Sequence, residues 1–213
     1  MSTFVIAISG GSGAPYALRL LEVLLSGEQE VKAVVSPAGE KILDIECGVR
    51  LRGSIIDKQT TLRKALRIDS SEVGLELYDH KNLAAPISSG SFACDGMVIV
   101  PCSGGTMGRI ANGISSDLIS RAADVALKER RRLIVVPRET PVSEIHLRNM
   151  LAVTRAGAIV LPAMPGFYHK PRTISDMVDM IVSRILDHLA VENHIFERWK
   201  GEGVSKFLSI DDE

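Results

Sequence analysis

Short apolar runs separated by longer amphipathic stretches set the rhythm of this chain. Thr3–Ile8, Val31–Ser36, Met97–Val100, Leu133–Val136 and Ala158–Leu161 are too short for helices and rich in Val, Ile and Leu. Such runs read as strands buried on both faces of a sheet. Val73–Tyr78 alternates more weakly and predicts a further strand. Between the strands the apolar positions return at helical spacing. A helix carrying Leu18, Leu21, Val23, Leu24 and Leu25 follows the first strand, and Pro37 at a first turn starts another over Ala38–Cys47. Further helices are predicted around Thr61–Ile68 and over Asp117–Glu129, Ser143–Arg155 and Ile174–Leu189, with Gly157 closing the one before it. This alternation predicts a doubly wound α/β fold with a mostly parallel sheet, one domain over residues 1–200 and a C-terminal tail over 201–213.

In such sheets ligands bind beyond the carboxyl ends of the strands, and the loops expected there carry this chain's chemistry. The run 97–139 is central: a strand, the small-residue loop Pro101–Thr106, a helix, a second strand, then Pro137, Arg138 and Glu139. Small residues let backbone N–H groups approach a ligand closely, and Arg138 sets a cation beside a carboxylate. The two loops are expected to share one site, although Arg138 also reads as a plain ion-pair partner of Glu139. The first strand runs into Ser9–Ala14 (SGGSGA) and then a helix, an arrangement in which a helix N-terminus meets an anion. Tyr16 stands where the dinucleotide fingerprint needs its third glycine, and no Gly-Lys-Ser/Thr follows. A phosphate loop and a tight turn without ligand both fit. Ser36 either caps the second helix or touches a ligand.

Composition narrows the classes. The formal charge is −1 over 213 residues, with one Trp, three Tyr and five Phe. Neither the basic field nor the aromatic platform of a nucleic-acid binder is present. No apolar run approaches the roughly 20 residues of a membrane span, and Phe4–Ile8 lacks the flanks of a signal peptide. Cys47, Cys94 and Cys102 have neither metal-ligand nor disulfide-framework spacing. A cytoplasmic enzyme without a metal site is the expectation.

Several charged stretches have plain readings. Arg50, Arg52, Lys58, Arg63, Lys64 and Arg67 read as the solvated face of a surface excursion. Lys128 and Arg130–Arg132 suit the C-terminal end of their helix. Arg121 lies on the same helical face as Lys128 and either pairs with Asp117 or reaches a site. Asp79–Ala93 is long for a structureless loop, as binding loops, lids and interface segments are. Pro162–Arg172 offers a phenol and several cations, and Trp199 is expected to dock on a neighbour.

Ser9–Ala14, Ser88–Ser91 (SSGS), Pro101–Thr106 (PCSGGT), Arg121–Arg131 (RAADVALKERR), Val136–Pro141 (VPRETP), His146–Met150 (HLRNM) and Leu161–Pro171 (LPAMPGFYHKP) occur in that order. Together they resemble the flavin prenyltransferases of the UbiX/Pad1 family over roughly residues 3–200. The resemblance implies a flavodoxin-like or Rossmann-like flavoprotein that uses reduced FMN as co-substrate. It also implies a homo-oligomer, up to a dodecamer, with sites shared between subunits. The implied reaction joins a dimethylallyl group from dimethylallyl monophosphate to N5 and C6 of the flavin. A UbiD-type decarboxylase, in ubiquinone biosynthesis or aromatic acid decarboxylation, would receive the product. Flavin contacts are implied for Gly10, Gly11, Ser12, Ser36, Ser103, Gly104, Gly105, Thr106 and Arg138. Prenyl-phosphate contacts are implied for Ser89, Gly90, Arg121, Lys128, Tyr168 and Arg184, and catalytic work for Glu139, Ser12 and Lys128.

These residue types suit that chemistry. Departure of phosphate from an allylic carbon needs a developing dianion stabilised, which Lys128, Arg121, Arg184 and Tyr168 can do. Glu139 could exchange a proton with the phosphate, and Ser12 could relay one at flavin N5. Leu83 stands where relatives often carry an aromatic residue, so cation–π help of about 0.5–2 kcal/mol is missing there. The acidic Asp-Asp-x-x-Asp clusters that hold Mg²⁺ in other prenyltransferases do not occur. Two rivals remain: a cysteine-type FMN-dependent decarboxylase and a non-catalytic flavin-binding partner subunit. Pro101–Thr106 and Pro141–His146 lack the Asn-bearing motifs of that decarboxylase branch.

Overall fold

The computed structural model describes residues 1–68 and 74–197; Trp199 and the tail over 201–213 lie outside them. Its strands are β1 (Thr3–Ile8), β2 (Glu30–Val35), β3 (Leu75–Asp79), β4 (Gly96–Cys102), β5 (Leu133–Pro137) and β6 (Ile159–Val160). They form one parallel sheet in the order β3-β2-β1-β4-β5-β6. The expected doubly wound arrangement is therefore observed, with the strand order of two mononucleotide-binding halves. The helices are α1 (Ala14–Ser26), α2 (Pro37–Cys47), α3 (Ile55–Ala65), α4 (Gly104–Ala111), α5 (Leu118–Lys128), α6 (Glu144–Arg155) and α7 (Ile174–Leu189).

Alternate strand residues feed two cores, as the two-residue period of a strand requires. Phe4, Ile6, Ile8, Val98, Val100, Ile134 and Val136 pack against α1, α2, α3 and α7. Val5, Ala7, Met97, Ile99, Leu133 and Val135 pack against α4, α5 and α6. Phe4, Ile6, Leu20, Leu24 and Ile99 are almost wholly buried, each such side chain contributing about 1.5–3 kcal/mol. Among the described residues no helix is long and apolar enough to cross a membrane.

Three local expectations are corrected. The helix expected around Thr61–Ile68 is α3, which begins at Ile55 because Ser54 and Asp57 form a reciprocal capping box. Helix α4 was not foreseen, since Gly104 and Gly105 at its start are poor helix formers. Asp79–Ala93 is not structureless: Pro86–Ser88 forms a 3₁₀ turn, and Ala85 and Ile87 are buried against the second core. Smaller shifts occur at element ends. β3 starts at Leu75, with Val73 outside the described residues, and β6 keeps only Ile159 and Val160 of Ala158–Leu161. Ala156 caps α6, and Gly157 follows it with φ +107°, a turn that favours glycine.

Candidate functional site

β1 and β4 are neighbours, but α1 and α4 leave toward opposite faces, so a crevice opens between the two carboxyl ends. Ser9 stitches its walls together. The buried hydroxyl donates to the Pro101 carbonyl (2.8 Å) and accepts from the Ser103 N–H (2.8 Å). An added Cβ at Gly11 would meet Pro101 at 3.4 Å, whereas one at Gly10 would stand 2.5 Å from the Ala38 Cβ. Only glycine lets the first loop lie this close to α2.

A groove of about 450 Å³ extends from this crevice, lined by Gly10, Ser36, Ala38, Ser103, Thr106 and Arg109 among others. Two helix N-termini open on it. Ser36 Oγ accepts the Gly39 N–H (3.0 Å) at the start of α2, and Ser103 Oγ accepts the Thr106 N–H (3.3 Å) at the start of α4. Ser36 thus both caps its helix and lines the groove. The caps use one first-turn donor each, leaving others for a ligand. Arg109, one turn into α4, donates to Thr106 Oγ1 (3.1 Å) and pairs with Asp117 (3.3 Å). Its Nε is buried without a hydrogen-bond partner, an arrangement that costs about 1–3 kcal/mol until an acceptor arrives. Two helix dipoles, two hydroxyls and a guanidinium fit the phosphate of a mononucleotide. Sequence reasoning missed Arg109 because α4 was missed; its spacing three residues after Thr106 was the available signal.

The other side of the crevice holds a second residue that the sequence did not reveal. Glu46, near the end of α2, takes hydrogen bonds from the Gly13 (2.9 Å) and Ala14 (2.8 Å) N–H groups at the start of α1, and the Ser12 hydroxyl turns to the same carboxylate. Burial pushes its pKa up, but Ser12, the two backbone donors and the nearby Arg138 hold it below the ordinary 4.5. The anion at this helix N-terminus is therefore supplied by the chain itself. Of the two readings of the glycine loop, the tight turn describes α1, while Gly10 and Gly11 face the crevice. Arg138 Nε reaches the Ser12 carbonyl at 3.5 Å and makes no ion pair with Glu139 among the described residues. The plain ion-pair reading is thereby removed.

Glu139 stands beside α4 and α6. It lines a small cleft of about 10 Å³ with Gly104, Met107, His146, Asn149 and others. A Cβ at Gly104 would meet His146 Nε2 at 3.1 Å and Glu139 Oε2 at 4.0 Å. Gly105 packs toward Arg109. Hence Gly10, Gly11, Ser12, Ser36, Ser103 to Thr106, Arg138 and Glu139 all gather at the carboxyl edge of the sheet.

The remaining expected residues lie elsewhere. Lys128 ends α5 shortly before β5 begins, and Ser89 and Gly90 shortly precede β4, which puts all three at the amino edge of the parallel sheet. β4 alone spans seven residues, or about 20 Å between the edges. Arg121 does not pair with Asp117, which instead caps α5 through Ser120. It donates to the Ser88 carbonyl (3.1 Å) and pairs with Asp124 (2.8 Å). Arg121 and Lys128 do share a face, since both meet the 88–91 loop. Tyr168 is half exposed in the loop after β6, with its ring edge-on to His169 and Phe196. Arg184 lies on α7, across the sheet from α5, and pairs with Asp187 (3.0 Å).

The crevice, the two helix termini and the glycine loop define a flavoprotein, and the model of the family described as Flavoprotein matches residues 2–186. Within it the chain belongs to the flavin prenyltransferases of the UbiX kind. It is 47% identical over 195 residues to the flavin prenyltransferase UbiX of Thermoplasma acidophilum, covering 92% of this chain and 98% of that protein. Among solved structures it is similar to AnUbiX (PadA1) in complex with FMN and dimethylallyl pyrophosphate, with a TM-score of 0.84 and 42% identity over 95% of this chain and 99% of that one. It is also similar to the dodecameric FMN-dependent UbiX-like decarboxylase of Escherichia coli O157:H7, with a TM-score of 0.80 and 36% identity over 93% of this chain and all of that one.

Proposed function

We propose that this chain transfers a dimethylallyl group from dimethylallyl monophosphate to N5 and C6 of reduced FMN. The observation that carries the reading is the groove itself, where Ser36, Ser103, Thr106 and Arg109, whose Nε is without a partner, line one space beside two helix N-termini. These groups would hold the FMN phosphate, with Gly10, Gly11, Gly104, Gly105 and Arg138 flanking the rest of the cofactor. Reduced FMN supplies the nucleophilic nitrogen and carbon that receive the prenyl group. Ser12, whose hydroxyl turns to Glu46, would pass a proton from the flavin edge to that carboxylate. Glu139 exchanges a proton with the departing phosphate.

The cations for that phosphate come from two places. Lys128, Ser89 and Gly90 lie at the amino edge, Arg121 reaches the same loop from the first turn of α5, Tyr168 lies in the loop after β6, and Arg184 lies on α7 across the sheet. Lys128 and the 88–91 loop of one copy stand at the edge opposite its own crevice, so the complete site would be assembled from several copies of the chain. Exposed apolar residues that an assembly would cover support this: Ile145, Leu147 and Leu151 on α6, and Met164 and Phe167 beside Tyr168. A homo-oligomer of the dodecameric kind fits, acting in the cytoplasm and passing its product to a UbiD-type decarboxylase. The roles meet at Glu139. Glu139→Gln should fold and bind FMN as before, yet form prenylated FMN about 10²–10⁴-fold more slowly. Rapid-mixing absorbance of reduced FMN with dimethylallyl monophosphate reads this, and a wild-type rate would remove Glu139 from the mechanism.

A further inference from the structure

We propose that Glu129 is a built-in counter-anion for Lys128, and that it sets the affinity and charge selectivity of the phosphate site. The inference rests on the reading of Lys128 as a ligand of the donor phosphate. Lys128 Nζ is in direct contact with Glu129 Oε1. Both groups lie over the same backbone atom. A Cβ added to Gly90 would stand 2.7 Å from the ammonium and would also collide with the Glu129 carboxylate. Lys128 holds the Glu129 carboxyl below its ordinary pKa, with Arg131 adding to the effect, so it is ionised at neutral pH. An anion therefore already occupies the space between the Lys128 ammonium and the glycine of the SSGS loop.

The loop cannot relax away from it. Arg131 Nη2 donates to the Gly90 carbonyl (2.6 Å), Arg121 Nε donates to the Ser88 carbonyl (3.1 Å), and the Ser89 and Ser91 hydroxyls bond each other (2.8 Å). These contacts leave the Gly90 α-carbon facing the ion pair. The two other cations assigned to the donor phosphate, both guanidinium groups, are treated alike. Arg121 pairs with Asp124 and Arg184 with Asp187, each three residues away on its own helix. Every cation meant for phosphate is thus matched within its own chain. Glu129 differs from the other two in lying against the loop as well as against the cation.

Two consequences follow. An incoming phosphate must displace Glu129 from Lys128, which weakens every anion to a similar degree. The displaced carboxylate stays close, because it belongs to the next residue, and repels a ligand in proportion to its charge. A monophosphate ester is disfavoured less than a pyrophosphate. Both side chains are roughly 40% exposed, so screening keeps each effect at the size of a surface ion pair.

The test is Glu129→Gln, with inorganic phosphate and inorganic pyrophosphate as inhibitors competing with dimethylallyl monophosphate in the FMN-loaded protein. KM and the phosphate Ki should both fall about two- to fivefold, and the pyrophosphate Ki should fall further. The turnover number should stay within about twofold, and Glu129→Asp should restore the wild-type constants. A purely structural role would alter turnover or FMN affinity and would not strengthen pyrophosphate more than phosphate. Unchanged or weaker binding of both anions, with FMN affinity intact, overturns the proposal. Lys128→Met is the separate check on the underlying reading. If it leaves KM for the donor unchanged, Lys128 is not a phosphate ligand and that assignment fails independently.

Discussion

Glu46 is the residue whose role was least visible beforehand and is most legible in three dimensions. Nothing near it in sequence marks it, because its partners Ser12, Gly13 and Ala14 are brought to it only when α2 packs beside α1. It does for α1 what an N-cap side chain does from within a helix. Glu46→Gln should therefore cost about 1 kcal/mol of stability at neutral pH. The sign of the pH dependence follows from its depressed pKa. The contribution is complete above the ordinary carboxyl value of 4.5 and is lost as pH falls through the lower folded value. Denaturant unfolding of both proteins from pH 7 to pH 3 should show the gap closing in acid, and a gap independent of pH would contradict this account. Arg138 and Glu139 make the complementary point. They are adjacent in sequence, yet Arg138 turns to the Ser12 carbonyl and Glu139 to the α4–α6 cleft.

Among the elements, α4 carries the most consequence for function. Its glycine-rich start hid it from propensity, although Ser103 as cap and the buried pair Met107 and Ile110 are ordinary helix signals. The glycines answer to packing. A Cβ at Gly104 would crowd His146 of α6 at 3.1 Å, and one at Gly108 would crowd Asn149 of the same helix at 3.3 Å. Gly104→Val should push α4 from α6 and turn its N-terminus off the groove, lowering FMN affinity by about tenfold or more, the worth of one hydrogen bond to a charged group. FMN titration of the folded variant measures this, and an unchanged affinity would mean that α4 does not hold the phosphate. Strands β1, β4 and β5, by contrast, were legible at once, since burial on both faces leaves near-continuous apolar runs. The start of α3 was missed, although Ser54 and Asp57 sit at capping-box spacing, because the polar, mixed stretch before Thr61 shows little apolar periodicity.

At the scale of the whole molecule, the parallel sheet separates what the reaction must bring together. The flavin-side residues gather at the carboxyl edge, whereas Lys128, Ser89 and Gly90 stand at the amino edge. Sequence order could suggest that all these motifs serve one site, but which edge each occupies depends on chain direction and can be seen only in the fold. Their separation, with apolar α6 residues left exposed, is what the proposed assembly of several copies would overcome. The account stands or falls on transfer itself. Purified protein mixed anaerobically with reduced FMN and dimethylallyl monophosphate, in the presence of EDTA, should yield a flavin heavier by one dimethylallyl unit with a changed absorption spectrum. Side-chain cations and a carboxylic acid are assigned all the work on the phosphate, so chelation should leave the rate unchanged. Recovery of FMN with unaltered mass and spectrum, from protein shown to bind it, would contradict the account and leave a flavin-binding subunit in its place.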